Sequence, residues 1–181
     1  MLKIINDSNP RLRERSLPVN IPLTTEEQTL AKAMLDYLKH SQDEEYAAKH
    51  NLQSGVGLAA PQVGVLKRII ALYYPKADSD QVVELALANP RIVASSLREC
   101  YISGGEGCLS VPVVHPGRVY RPWKVTVEAY DIINKKNIKL VLRGYDAIVI
   151  QHEIDHLNGV LYYDHIDPER ALEDDPSVVV V

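Results

Sequence analysis

Residues 151–156 read QHEIDH, and this segment restricts the fold more than any other part of the sequence. Apolar residues recur at helical spacing from about Tyr145 to Asn158, which predicts a helix around the H-E-x-x-H pattern. Residues four apart share a helical face, so His152 and His156 can reach one ion, and Glu153 can address a water on it. The pattern is typical of a hydrolytic metal site, although two histidines on a helix can also form a plain polar face.

A metal site that works on a water needs about three protein ligands and an open position. The longer pattern H-E-x-x-H-x-x-G-x-x-H is met at Gly159, but Tyr162 stands where its third histidine should be. Upstream, Cys108 lies in EGCLS close to Gly104, Gly105 and Gly107, where the backbone lets a thiolate approach an ion. Cys108 is the candidate third ligand, and the alternative for it is a buried structural cysteine. Cys100 lies in a candidate strand and is expected to be structural.

The segment GVGLAAPQVG at 55–64 superficially matches a dinucleotide-binding fingerprint. The match fails on context, because a polar stretch precedes it and no helical run follows Pro61. The segment therefore predicts a glycine-rich loop that approaches a ligand with its backbone and offers the Gln62 amide as a donor.

The rest of the chain predicts two helices separated by strands without regular βαβ alternation. A helix begins at a capping box read as Thr25 to Gln28 and ends near His40, and the polar segment 41–50 is a loop or a frayed turn. Strands are expected at 68–74, 82–88, 98–102, 124–131 and 138–142, the last two forming a hairpin. The expected fold is α+β, with mixed, mainly antiparallel sheets around a central helix carrying H-E-x-x-H, plus an N-terminal helix, in one domain over 1–181. The valine run at 178–181 packs on a sheet edge or hangs free.

Amino-acid composition limits the classes of partner that the protein can bind. The chain has 181 residues, 46% of them hydrophobic, and a net charge of −4, so it can build a core but has no broad positive field for DNA or a membrane surface. The N-terminus lacks the apolar stretch of a signal peptide, and no segment approaches the ~20 apolar residues of a membrane span. We therefore expect a cytoplasmic protein with reduced cysteines and with neither DNA nor membrane partners.

Taken together, GVGLAAPQVG, EGCLS and QHEIDH resemble, in this order, the three signature motifs of the peptide deformylase family. NPRLR at 9–13 and Asn158-Gly159 are also similar to that family, so the resemblance covers nearly the whole chain. The long spacing between the first two motifs resembles the longer-insert subclass.

The resemblance implies one divalent metal ion, typically ferrous iron with zinc or nickel also able to bind, and a water as fourth ligand. It implies that Glu153 is general base and then general acid, and that Gln62 and the backbone N–H of Leu109 stabilise the oxyanion. The implied metal ligands are Cys108, His152 and His156.

The implied reaction removes the formyl group from the N-terminal formyl-methionine of newly synthesised polypeptides and releases formate, with the ribosome as a nearby partner. Gly57 would hydrogen-bond the peptide. Val56, Tyr145, Ile148 and Val149 flank the motifs and are candidate walls of a methionine pocket, although Ile148 could equally be core.

The sequence departs from the family after EGCLS, where His115 or Arg118 stands in place of a frequent basic residue. Arg121 is expected to pair with Glu106 and brace the cysteine loop. Two alternatives remain at this point: a metzincin-like metallopeptidase, which lacks its histidine at Tyr162, and a catalytically silent metal-binding relative.

Overall fold

The computed structural model describes residues 2–76, 79–169, 171–172 and 175–181. Three α-helices and eight strands lie within these residues, together with 3-10 turns at Pro10–Arg13, Ala60–Val63 and Tyr162–His165. The helices are α1 (Thr25–Ser41), α2 (Glu44–His50) and α3 (Gly144–Leu157). The strands are β1 (Gly57–Ala59), β2 (Ile69–Pro75), β3 (Val82–Ser95), β4 (Glu99–Tyr101), β5 (Arg121–Pro122), β6 (Lys124–Asp131), β7 (Lys136–Arg143) and β8 (Val179–Val180).

The main sheet has the order β1-β2-β3-β6-β7, with every neighbouring pair antiparallel. Both faces of strand β2 are buried, which explains why its sequence is continuously apolar. Ile69 and Ala71 pack in the cluster with α1, whereas Ile70 and Leu72 pack in the cluster with α3. The sheet is therefore a layer between the two helices, and α3 lies on the face opposite α1.

The capping box of helix α1 begins at Thr24, one residue before the predicted one. The Thr24 hydroxyl accepts from the Glu27 N–H (3.3 Å), and Glu27 accepts from the Thr24 N–H (2.9 Å). The predicted pair Thr25 and Gln28 is therefore wrong by one position, and the Gln28 amide instead donates to the Leu23 carbonyl (3.0 Å). Both readings fit the sequence, since threonines stand side by side and each has Glu or Gln three residues later.

Two further predictions need correction. The segment expected to be a loop or a frayed turn contains the seven-residue helix α2, which the Asp43 side chain caps by accepting from the Tyr46 N–H (2.9 Å). No residue of α2 is buried, so no apolar period marks it. Strand β3 does not end at Ala88 but passes through Asn89-Pro90 by a register shift. Proline has no backbone N–H to donate, and a bulge accommodates it because the bulged residue does not take part in the hydrogen bonding between the strands.

The small sheet has the order β5-β4-β8, and β8 is parallel to β4. The C-terminal valines thus pair with a sheet edge, which decides between the two alternatives that the sequence left open. Cys100 is buried in β4. The predicted α+β class is confirmed: mainly antiparallel sheets, the N-terminal helix and the helix carrying H-E-x-x-H are all present, and the β6–β7 hairpin is found as predicted.

Candidate active site and metal centre

Helix α3 presents His152 and His156 to the loop that carries Cys108. The thiol Sγ lies 3.2 Å from His156 Nε2, and one ligand atom from each of the three residues lies within 4.8 Å of the others. Cys108 and His156 are buried and His152 is half-buried. One thiolate and two imidazoles on neighbouring elements are a donor set that suits a single divalent ion.

The carboxylate of Glu106 fixes the orientation of His152. Its Oε2 lies 2.8 Å from His152 Nδ1, and Arg121 donates to both of its oxygens (2.5 and 3.0 Å). Because the carboxylate accepts, Nδ1 is the proton-bearing nitrogen and Nε2 is left for an ion. The predicted Arg121–Glu106 pair is thus present, and Arg121 also donates to Asp155 (2.8 Å).

The charges of the site favour a cation. Burial raises the pKa of Glu106, but hydrogen bonds from His152 and Arg121 outweigh this and hold that pKa at about 2. Burial lowers the pKa of His152, but hydrogen bonds to Cys108 and Glu106 raise it to about 10. Burial and then the charge of His152 keep the pKa of His156 well below its usual value, which favours the neutral imidazole with one ring nitrogen able to bind an ion. The negative groups that hold a proton on His152 also favour a metal ion there.

The side chain of Glu153 packs against Gly57 of β1. Burial raises its pKa to about 7. Its Oε2 is buried and accepts no hydrogen bond from the described part of the chain. A Cβ placed on Gly57 would lie 2.2 Å from Glu153 Oε1, so the glycine is what lets this carboxylate fit against the strand. A buried carboxyl group with a pKa near neutrality can both take and return a proton.

Gln62 has one defined orientation. Its Oε1 accepts from the Ala59 N–H (2.8 Å), which turns Nε2 towards Ser110 Oγ (3.2 Å) and Cys108 Sγ (3.6 Å). The Ser110 N–H also donates to the cysteine sulfur (3.4 Å). The glycine-rich segment is therefore a short strand followed by a 3-10 turn rather than only a loop, and its amide donor lies beside the metal ligands.

The N-terminal segment supports both motif loops from behind, which the sequence did not suggest. The Ile5 N–H donates to the Gln62 carbonyl and the Asp7 N–H to the Ser110 carbonyl, each at 2.8 Å. Backbone donors have no characteristic side chain, so no residue pattern could have identified this contact.

A cavity of about 350 Å³ opens onto these groups. Its lining includes every predicted substrate-contacting residue, together with Cys108, Leu109, His152, Glu153 and Gln62. The predicted set is Val56, Gly57, Tyr145, Ile148 and Val149. The structure adds Gln53, Ser54 and Ile102, which lie outside the motifs. The methionine-pocket candidates therefore surround one space, and Ile148 is both a wall of it and almost fully buried.

Tyr162 occupies no ligand position. Its ring stacks against His152 with centroids 6.2 Å apart, and its hydroxyl accepts from the His115 N–H (3.3 Å). His165 contacts Asp155 (2.8 Å) rather than the three ligand atoms. The metzincin-like alternative thus loses its third histidine, and Cys108 stands in that place.

Comparison with known proteins identifies the family. A family model described as polypeptide deformylase matches residues 1–171. The chain belongs to this family. It is 45% identical to a peptide deformylase of Staphylococcus epidermidis over 181 residues, which cover 100% of this chain and 98% of the relative. A peptide deformylase of Listeria monocytogenes is 46% identical over 177 residues, covering 98% and 96%.

Solved structures of peptide deformylases agree with this family assignment. Peptide deformylase 1B of Arabidopsis thaliana superposes with a TM-score of 0.74 at 30% identity, covering 93% of this chain and 83% of that one. A class I type b peptide deformylase of Acinetobacter baumannii, bound to Met-Ala-Ser, superposes with a TM-score of 0.70 at 31% identity, covering 92% and 98%. The chain is accordingly a metal-dependent hydrolase that removes N-formyl groups from nascent peptides. Within the described residues, no helix is long and apolar enough to cross a membrane.

Proposed function

We propose that this deformylase acts with Cys108, His152 and His156 as the ligands of one divalent ion and with Glu153 as the proton carrier. The observation that carries the proposal is one cavity lined by Cys108, His152, Glu153 and Gln62. The third ligand, His156, lies directly behind it, with its Nε2 3.2 Å from Cys108 Sγ. When bound, a divalent ion would lower the pKa of a water and polarise a carbonyl. The chain's own residues bind the peptide, bind the oxyanion and move the proton. We also propose that the chain forms one domain over 1–181.

Glu153 is the general base and then the general acid. A carboxylate with a pKa of about 7 is partly ionised at neutral pH and can accept the proton of the attacking water. Once protonated, the same group can deliver that proton to the amine that leaves when the formyl C–N bond breaks. The products are formate and a free N-terminal methionine.

The oxyanion that forms on the formyl oxygen is bound by Gln62 Nε2 and the Leu109 N–H. Support for Gln62 comes from the fixed orientation of its side chain. Its Oε1 already accepts a hydrogen bond from the Ala59 N–H, so Nε2 is the atom that faces the metal ligands. A donor that is already oriented costs no reorganisation during the reaction, and losing one such donor costs about 3–4 kcal/mol of transition-state stabilisation in another hydrolase.

The peptide lies along β1, the edge strand of the main sheet, with Gly57 as a hydrogen-bonding partner. The methionine side chain fills the space between Val56, Tyr145, Ile148 and Val149. The Acinetobacter relative bound to Met-Ala-Ser supports a methionine-first peptide as the ligand class.

Ferrous iron is the proposed physiological ion, with zinc or nickel as substitutes, since one thiolate and two imidazoles suit all three. We also propose that the enzyme works in the cytoplasm on chains emerging from the ribosome. The longer-insert subclass stays a prediction.

The test is formate release from a formyl-methionyl peptide by protein purified without oxygen. Glu153→Ala should abolish release and keep the metal, whereas Cys108→Ser should lower the metal content. Absence of formate with iron, zinc and nickel each loaded would overturn the proposal. Unchanged metal content and activity in Cys108→Ser would show that the third ligand is another residue. Loss of activity in air, restored by fresh ferrous ion, is the expected sign of iron.

A further inference from the structure

Two side chains at the end of α1 hold the start of the cavity wall. Gln42 Nε2 donates to the carbonyls of Gly55 (2.8 Å) and Tyr73 (2.6 Å). Ser41 Oγ accepts from the Gly55 N–H (3.2 Å) and itself donates to the Leu38 carbonyl (2.8 Å). Gly55 thus has both of its backbone polar groups bonded to adjacent residues of another element.

These bonds begin where the strand pairing stops. The Tyr73 N–H donates to the Val56 carbonyl (2.9 Å), and the regular β1–β2 register starts at Gly57. One step before it, the carbonyls of Gly55 and Tyr73 are bridged by the single amide of Gln42. The side chain therefore extends the connection between the two strands past the end of their ladder.

Helix α2 lies at the surface, in the part of the chain between Gln42 and Gly55. None of its residues is buried, and it rests on α1 through stacked rings of His40, Tyr46 and His50, with centroids 4.3 and 4.0 Å apart. The chain leaves α1 at Ser41, passes through α2 and returns at Gly55. The hydrogen bonds of Ser41 and Gln42 to Gly55 therefore join the two ends of this segment.

Gly55 is close to groups of the reaction. A Cβ placed on it would lie 2.6 Å from Leu109 Cδ1, so its backbone packs directly on Leu109. Two residues later, Gly57 lies against Glu153. The segment 55–57 therefore borders the cavity between the proposed oxyanion donor and the proposed base.

We propose that Ser41 and Gln42 are positioning residues that hold the segment 55–57 at the separation from Leu109 and Glu153 that a bound peptide requires. They act from outside the cavity, since neither is among its lining residues. This inference rests on the proposed function, in which Val56 and Gly57 contact the peptide.

The test compares Gln42→Met and Ser41→Ala with Gln28→Met, measured on formyl-Met-Ala-Ser. Gln28 is a matched control because its amide also donates to a backbone carbonyl, that of Leu23, on the same helix but away from the cavity. In both test variants we expect KM to rise roughly five- to twentyfold with kcat within about twofold, because the chemical groups stay in place. The Gly55 amide should exchange its hydrogen at least about tenfold faster, while exchange in β3 and β6 and the metal content stay unchanged.

Unchanged KM in both variants, with faster exchange at Gly55, would overturn the inference. So would an equal rise of KM in Gln28→Met, which would make the effect one of general stability. An equal fall of kcat with unchanged KM would also contradict it, since the defect would then lie in the chemistry. An inactive wild-type protein would instead refute the proposed function, so the two failures are distinguishable.

Discussion

Replacing Gly57 by alanine tests how closely the proposed base is fitted to the sheet. The new Cβ would lie 2.2 Å from Glu153 Oε1, 2.7 Å from Cδ and 2.9 Å from Cγ. Real Cβ contacts are essentially never below 3.0 Å, so the carboxylate must retreat by at least about 0.8 Å. Misplacing a catalytic group by about 1 Å can cost about 10²-fold in rate.

We therefore expect Gly57→Ala to lower kcat on a formyl-methionyl peptide by about 10²-fold. Metal content should not change, because Glu153 is not among the proposed ligands. The measurements are steady-state kinetics for kcat and KM and elemental analysis for metal. Gly104→Ala is the matched control, since nothing lies within 4 Å of a Cβ there and its φ is ordinary.

A double variant isolates the cause. Glu153→Asp withdraws the carboxylate from the place of the new Cβ, so adding Gly57→Ala to it should cost little more than Glu153→Asp alone. A kcat within twofold of wild type in Gly57→Ala, or full additivity in the double variant, would refute the reasoning.

Three further results are expected. Ionised Glu153 is the proposed base and burial raises its pKa to about 7, so kcat/KM should fall on the acid side. A nearby cation favours the carboxylate, so the acid limb of the metal-loaded enzyme should lie below about pH 7. A flat profile down to pH ~5 would contradict this. The pKa of Glu106 is lowered to about 2, so its ionised form stabilises the fold above about pH 4.5, and this contribution is lost as pH falls towards 2. Chemical unfolding should therefore find Glu106→Gln less stable by on the order of 3 kcal/mol at neutral pH, with a difference that shrinks in acid; a constant difference would exclude the Arg121 and His152 contacts as its cause. Tyr162→Phe should keep its metal and most of its activity, because only a hydrogen bond to a backbone N–H is removed, and loss of metal would implicate the tyrosine in ligation.

The sequence predicted best those features that side-chain chemistry encodes directly. The helical spacing of His152 and His156 and the glycines near Cys108 were enough to nominate a ligand set that the structure brings together. Opposite charges predicted the contact of Arg121 with Glu106, although the two are 15 residues apart. Alternation of apolar residues gave the β6–β7 hairpin, because one face of it is buried.

The features that were missed rely on backbone groups or on exposed residues. The contacts of Ile5 and Asp7 with the motif loops use main-chain atoms, which any residue supplies. Helix α2 has no buried face, so its only signals are the Asp43 cap and the left-handed Asn51 that ends it. The course of β3 through Pro90 depends on a bulge, which is set by pairing with β6 rather than by local preference.

The two edge strands of the main sheet, β1 and β7, differ in how readily another strand can pair with them. Any edge strand offers unpaired backbone groups that can template the addition of another strand, and so invites self-association. Strand β7 is eight residues long, but Lys136, Lys139 and Arg143 are exposed along it, and such charges discourage another strand from docking. Strand β1 lacks these charges and is only three residues long, beside a cavity of about 350 Å³. Under the proposed function, the peptide adds as a strand at this edge, where the cavity leaves room for the first residues of one chain. The unpaired backbone groups that promote aggregation at other sheet edges would then bind substrate at β1.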